Sequence, residues 1–81
     1  MDDAVVSSDG DRIFVNARNA DKVAVIDTET HEVETILDVG DRPVHSFVYK
    51  DEIWVHVDGD GGFNVINEET LNVNLFGYNM K

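Results

Sequence analysis

The stretch from Asp11 to Val33 reads DRIFVNARNADKVAVIDTETHEV, and the stretch from Asp51 to Val73 reads DEIWVHVDGDGGFNVINEETLNV. The second repeats the first without a gap, forty positions later. The identical pairs are Asp11/Asp51, Ile13/Ile53, Val15/Val55, Val25/Val65, Ile26/Ile66, Glu29/Glu69, Thr30/Thr70 and Val33/Val73. So many matches in one register indicate that the chain consists of two copies of one structural unit.

Within each copy, short β-prone runs alternate with turn signals, and no stretch has helical periodicity. The predicted strands are 3–8, 12–17, 22–26 and 32–37 in the first copy, and 44–49, 52–57, 63–66 and 71–76 in the second. Asp27 is placed to accept hydrogen bonds from the amides two and three residues on, which predicts a tight turn. A repeat of about 40 residues with four short strands is typical of a β-propeller blade. We therefore predict an all-β fold of two four-stranded antiparallel meanders stacked face to face, with residues 1–40 as the first blade and 41–81 as the second.

Composition restricts the possible partners of the chain. Its 81 residues include 17 acidic and six basic residues, for a net charge of −11, and no cysteine. Nucleic acids and anionic membrane surfaces would be repelled by this charge. Thiolate metal ligands and disulfides are absent, and no apolar run is long enough to span a membrane.

Three segments of the first copy resemble the YVTN-type β-propeller repeats. Ser8 to Val15 resembles their S-P-D-G-x-R-[IL]-[YF]-V hairpin, although the proline after the serine is missing. Val23 to Thr30 is similar to their V-x-V-I-D-T-x-T segment, and Val33 to Gly40, followed by Pro43, to their V-x-x-I-x-V-G-x-x-P tail. The resemblance extends over most of the second copy, where 79–80 depart from the family's Val-Gly connector.

The resemblance implies that the first strand of each blade lies along a central channel and the fourth lies on the rim. Members of the family are often periplasmic or extracellular. Two blades leave apolar faces without a neighbour, since repeat architectures generally need at least three units. Either the chain is a fragment of a longer propeller, natural or engineered, or identical chains complete the ring. Three chains would give six blades and four would give eight.

His45 and His56 are the sharpest candidate for a site. If 50–51 form a two-residue hairpin loop, Tyr49 faces Glu52, Phe47 faces Trp54 and the two histidines face each other. Opposed residues have Cβ atoms about 4.5–5.5 Å apart, a distance at which two imidazoles could share a divalent metal. The alternative is a packed, hydrogen-bonded pair.

The resemblance also implies a ligand site at the channel mouth, where Arg42, His45 and His56 would lie together. The geometry permits a cation there, or a small anion held by Arg42. The aromatic residues Phe14, Phe47, Trp54, Phe63 and Phe76 are predicted to fill the space between blades.

No local arrangement of residues indicates an enzyme. The leading function is a non-catalytic propeller scaffold or binding module that needs no cofactor and assembles with identical chains. The alternative is a metal- or heme-associated redox protein that uses His45 and His56, because YVTN-type repeats resemble those of cytochrome d1-type and nitrous-oxide-reductase-type propellers. A third hypothesis is an excised or engineered pair of blades that assembles into a full propeller.

Overall fold

The computed structural model describes residues 3–59 and 61–77, and it is all-β apart from one short turn of 3-10 helix at Arg18–Ala20. Its strands are β1 (Ala4–Val6), β2 (Arg12–Ala17), β3 (Lys22–Asp27), β4 (Val33–Asp38), β5 (Pro43–Tyr49), β6 (Glu52–Val57), β7 (Gly62–Asn67) and β8 (Val73–Gly77). The first four form one antiparallel sheet in chain order, and the last four form another. The predicted all-β class and the two four-stranded meanders are confirmed. No helix in the described part of the chain could cross a membrane.

The repeat is visible in the turns between the third and fourth strands. Asp27 Oδ1 accepts hydrogen bonds from the amides of Glu29 and Thr30, at 2.8 and 3.0 Å. In the second sheet, Asn67 Oδ1 accepts from Glu69 N at 2.8 Å and Thr70 N at 2.9 Å. The predicted role of Asp27 is confirmed, and an amide performs the same role in the second copy.

Several strand ends differ from the predicted ones. The first strand ends at Val6 because the Ser7 carbonyl accepts the Gly10 amide and begins the turn. Gly10 adopts a φ of +80°, which glycine tolerates best. The fourth strand of each sheet begins at Val33 or Val73, later than predicted, because the preceding residues belong to the turn. His31 and Leu71 have positive φ values of 65° and 64° there.

Pro43 was expected to precede its strand, but it is the first residue of β5. A proline is tolerated at this position because its missing N–H costs no ladder hydrogen bond. In the second copy, Gly77 is part of β8, whereas the connector at 79–80 lies outside the described residues.

The core lies between the two sheets. The first sheet contributes Phe14, Val23 and Val25, and the second contributes Ile53, Val55, Val57 and Ile66, all between 0% and 1% exposed. Alternate residues point to opposite faces of a strand, so each sheet has a covered face and an outer face. The outer face of the first sheet carries Val6, Ile13, Val15, Ala24, Ile26, Val33 and Ile36.

Polar contacts also join the sheets. Glu68, which is only 7% exposed, accepts hydrogen bonds through Oε2 from Ser8 N at 2.9 Å and Ser8 Oγ at 2.8 Å. Arg12 Nη1 donates to the main-chain oxygen of Glu68 at 2.6 Å. Asn64 Oδ1 accepts from Gly40 N at 2.7 Å. Because these bonds link residues far apart in sequence, they fix how one sheet sits on the other.

Candidate functional site

The β5–β6 hairpin places the two candidate histidines opposite each other. Lys50 and Asp51 form its two-residue loop, and both have positive φ values, 49° and 64°, as a type I′ turn requires. This turn sets the register in which His45 pairs with His56. The predicted pairing along the hairpin is therefore confirmed, including Phe47 with Trp54 and Tyr49 with Glu52.

The surroundings of the two imidazoles differ. The side chain of His45 is 82% exposed, and its Nδ1 lies 3.7 Å from Asp3 Oδ2. Asp3 Oδ2 also accepts the Ser46 amide at 3.1 Å. His56 is half-buried, and its ring centroid lies 5.3 Å from that of Phe63. Within residues 3–59 and 61–77, no group of three or more His, Asp or Glu side chains is arranged to hold a metal ion.

Arg42 lies in the connector just before β5. Its Nη2 forms an ion pair with Asp58 Oδ2 at 2.5 Å, and its amide donates to Asp21 Oδ1 at 3.0 Å. Its φ of 56° is the left-handed conformation, which the hydrogen bond from its amide helps to hold. Since Asp58 already compensates its charge, an anion would have to compete with this carboxylate.

An aromatic cluster covers the outer face of the second sheet beside His56. Phe47, Trp54 and Phe63 come from three neighbouring strands, and their ring centroids lie 5.7 to 6.1 Å apart. Phe47 and Trp54 are stacked at 11°, and Phe63 meets both edge-on. Phe47 is 48% exposed, and Tyr49, at the end of the same strand, is 53% exposed.

Of the four described aromatic side chains predicted to fill the space between blades, only Phe14 lies between the two sheets of this chain. Phe14 is fully buried between the sheets, whereas Phe47, Trp54 and Phe63 lie on the outer face of the second sheet. The cause is strand alternation, which places these three side chains opposite to Ile53, Val55 and Ile66. The side chain of Phe76 lies outside what the structure describes.

An acidic cleft of about 540 Å³, which the sequence did not single out, lies at the turns of the first sheet. It is lined by Asp9, Asp11, Arg12, Asp27, Thr28, Glu29 and Glu34. Arg12 forms a two-bond ion pair with Glu34, at 3.0 and 2.8 Å, and this contact raises the pKa of the guanidinium.

Two of the carboxylates in this cleft accept hydrogen bonds from turn residues, and these bonds lower their pKa values. The pKa of Asp9 is lowered mainly by the Asp11 amide and next by the Ser7 hydroxyl. The pKa of Asp27 is lowered by the Thr30 and Glu29 amides, in that order. Asp9 and Asp27 therefore stabilise the turns that contain them, and the cleft is the solvent-facing surface of these turns.

The contact between Glu68 and Ser8 was also missed by the sequence reasoning. A signal for it exists, because the repeat places Thr28 at the position of Glu68. Thr28 Oγ1 donates to Gly10 O within its own sheet, while the longer glutamate reaches across to the other sheet. A departure from the repeat thus marks a contact between the copies.

No protein-family model matches the chain, and no curated protein matches it. The likeness to YVTN-type repeats consequently rests on the sequence motifs alone. Functional inference for this chain depends on its own residues and faces.

Proposed function

We propose that this protein is a non-catalytic β-propeller scaffold or binding module, in which each four-stranded sheet is one blade. Copies of the chain complete the ring. The observation that carries the proposal is the exposure of apolar residues on both outer faces of a stacked pair of repeats. Val6, Val33 and Ile36 on the first sheet are 50–57% exposed, and Phe47 on the second is 48% exposed. Repeat units stack because one unit cannot bury both of its faces.

The arrangement of the first strands also supports the proposal. Among contacts between the two sheets, β5 of the second sheet lies close to β1 and β2 of the first. The family resemblance implies that β1 and β5 are the strands that line a central channel. A contact between these strands is what neighbouring blades of a ring would have.

Three or four chains would give six or eight blades. Head-to-tail contacts close into rings when the rotation between neighbours allows it. Light scattering on the purified protein tests the proposal, since a ring has three or four times the mass of the 9.1 kDa chain. A folded monomer at micromolar concentration would refute self-assembly.

A metal- or heme-associated redox protein is the second candidate. The observation in its favour is the opposed pairing of His45 and His56 on neighbouring strands, since imidazole is a common ligand for zinc, copper and iron. Metal analysis of the purified protein, together with its visible absorption spectrum, separates this candidate from the scaffold.

A further inference from the structure

We infer that the outer face of the second sheet is a docking surface for the outer face of the first sheet in another copy of the chain. This inference rests on the proposed scaffold function and names the partner and the faces. The contact is head-to-tail, so every copy offers one aromatic face and one aliphatic face. Aromatic faces of two copies would not meet each other.

The repeat supplies the first argument. Four aliphatic residues on the outer face of the first sheet are identical to their counterparts in the second sheet. The pairs are Ile13/Ile53, Val15/Val55, Ile26/Ile66 and Val33/Val73. In the second sheet, Ile53, Val55 and Ile66 are 0% exposed, and Val73 packs against them. The first sheet thus presents to its outside the same residues that the second sheet buries against a neighbour.

The opposite pair of faces gives the second argument. Phe14 and Val23 form the covered face of the first sheet and are fully buried. Their counterparts, Trp54 and Phe63, lie on the outer face of the second sheet. The outer face of the second sheet therefore corresponds to the covered face of the first sheet. In the same way, the outer face of the first sheet corresponds to the covered face of the second sheet. A second copy can continue the stack by repeating the same packing.

Side-chain sizes across the proposed contact compensate each other. Trp54 and Phe63 are larger than Phe14 and Val23, the residues they replace. On the opposing face, Ala17 and Ala24 are smaller than their counterparts Val57 and Asn64. Because protein cores are close-packed, the large aromatic side chains need this additional space. The differences between the copies therefore favour the pairing of unlike faces.

The proposed contact would be less polar than the interface within the chain. Glu68, whose carboxylate joins the sheets through Ser8, corresponds to Thr28 in the first copy of the repeat. The new contact thus has no carboxylate at that position. Each chain carries a net charge of −11, so copies repel each other and salt, which screens this repulsion, should strengthen assembly.

Two substitutions test the assignment of faces, and each places a charge on one outer face. Val6→Glu alters the first sheet at a side chain that is 50% exposed, and Phe47→Glu alters the second at one that is 48% exposed. Both residues are half-exposed within one chain, so the fold should tolerate the change. In an assembly the Phe47 position would be covered, because its structural counterpart Val5, which faces Phe14 as Phe47 faces Trp54, packs against the core within the chain. Val33→Glu, at 57% exposure, is a second variant of the first face.

Asn72→Glu is the matched control. Asn72 is exposed in a turn of the second sheet, and its counterpart Glu32 is exposed as well beside the interface within the chain. Masses are measured by light scattering and native mass spectrometry for each variant, and for an equimolar mixture of Val6→Glu and Phe47→Glu. Circular dichroism checks that every variant is folded.

We expect both face variants to be monomers and the control to keep the parent's mass. The mixture should give a complex of one copy of each variant, because one retains an intact second face and the other an intact first face. Dimers of Val6→Glu alone would show that aromatic faces pair with each other, and would overturn the inference. So would a face variant that keeps the parent's mass, or a mixture that stays monomeric. These results leave the scaffold function standing, whereas a monomeric parent would refute self-assembly itself.

Discussion

Replacing Glu68 by alanine removes a charge-assisted polar contact between the two sheets. Its Oε2 accepts two hydrogen bonds from Ser8, at 2.9 and 2.8 Å, in a position only 7% exposed. A hydrogen bond to a charged group contributes about 1.5–3 kcal/mol. Because Ser8 is exposed and water can replace part of the contact, the lower value applies to each bond. We expect Glu68→Ala to lower the free energy of unfolding by about 3 kcal/mol, or Tm by roughly 12–24 °C for a domain of this size.

Urea unfolding followed by circular dichroism measures the effect, with Glu69→Ala as the matched control. Glu69 is the exposed neighbour of Glu68, and its replacement should change stability by no more than about 0.5 kcal/mol. Combining Ser8→Ala with Glu68→Ala isolates the hydroxyl bond, for which we expect a coupling energy of about 1.5 kcal/mol. The reasoning is refuted if Glu68→Ala costs no more than the control, or if the coupling energy is zero.

Three further predictions concern a buried amide, the carboxylate of a turn and the histidine pair. Asn16 is fully buried, and neither polar atom of its amide side chain has a hydrogen-bond partner among the described residues. Because burying an unpaired amide costs free energy, Asn16→Leu should raise the free energy of unfolding by about 1–2 kcal/mol in urea titrations. A decrease of that size would contradict this reasoning. The amides that lower the pKa of Asp27 stabilise its ionised form, so its contribution is present above the unfolded pKa of about 3.9 and lost as pH falls through the folded value. Asp27→Asn should lose less stability than the parent on acidification, and Asn67→Asp should lose more; equal losses in all three proteins would refute this. Zinc should change Tm equally in the parent and in the double variant His45→Val/His56→Asn, and an increase confined to the parent would establish a metal site.

Much of the local structure could be predicted from the sequence. The repeat predicted two sheets of four strands each, and the loop at Lys50–Asp51 predicted the pairing of His45 with His56. The hydrogen bonds of Asp27 in its turn were predicted as well. Each of these depends on residues close together in sequence, where the turn geometry limits the backbone to one register. Because these features are local, each copy of the repeat forms its own sheet with the same order of strands.

Only the tertiary structure decided which face of each sheet is covered. In β2 and β6 both faces are apolar, so alternation alone does not distinguish Phe14 from Ile13, or Trp54 from Ile53. Stacking the sheets buried Phe14 in the first and Ile53 in the second, and left the aromatic cluster outside. The Ser8–Glu68 contact likewise joins residues 60 positions apart. Such contacts depend on how two completed sheets pack, and the spacing of residues within one strand does not specify that packing.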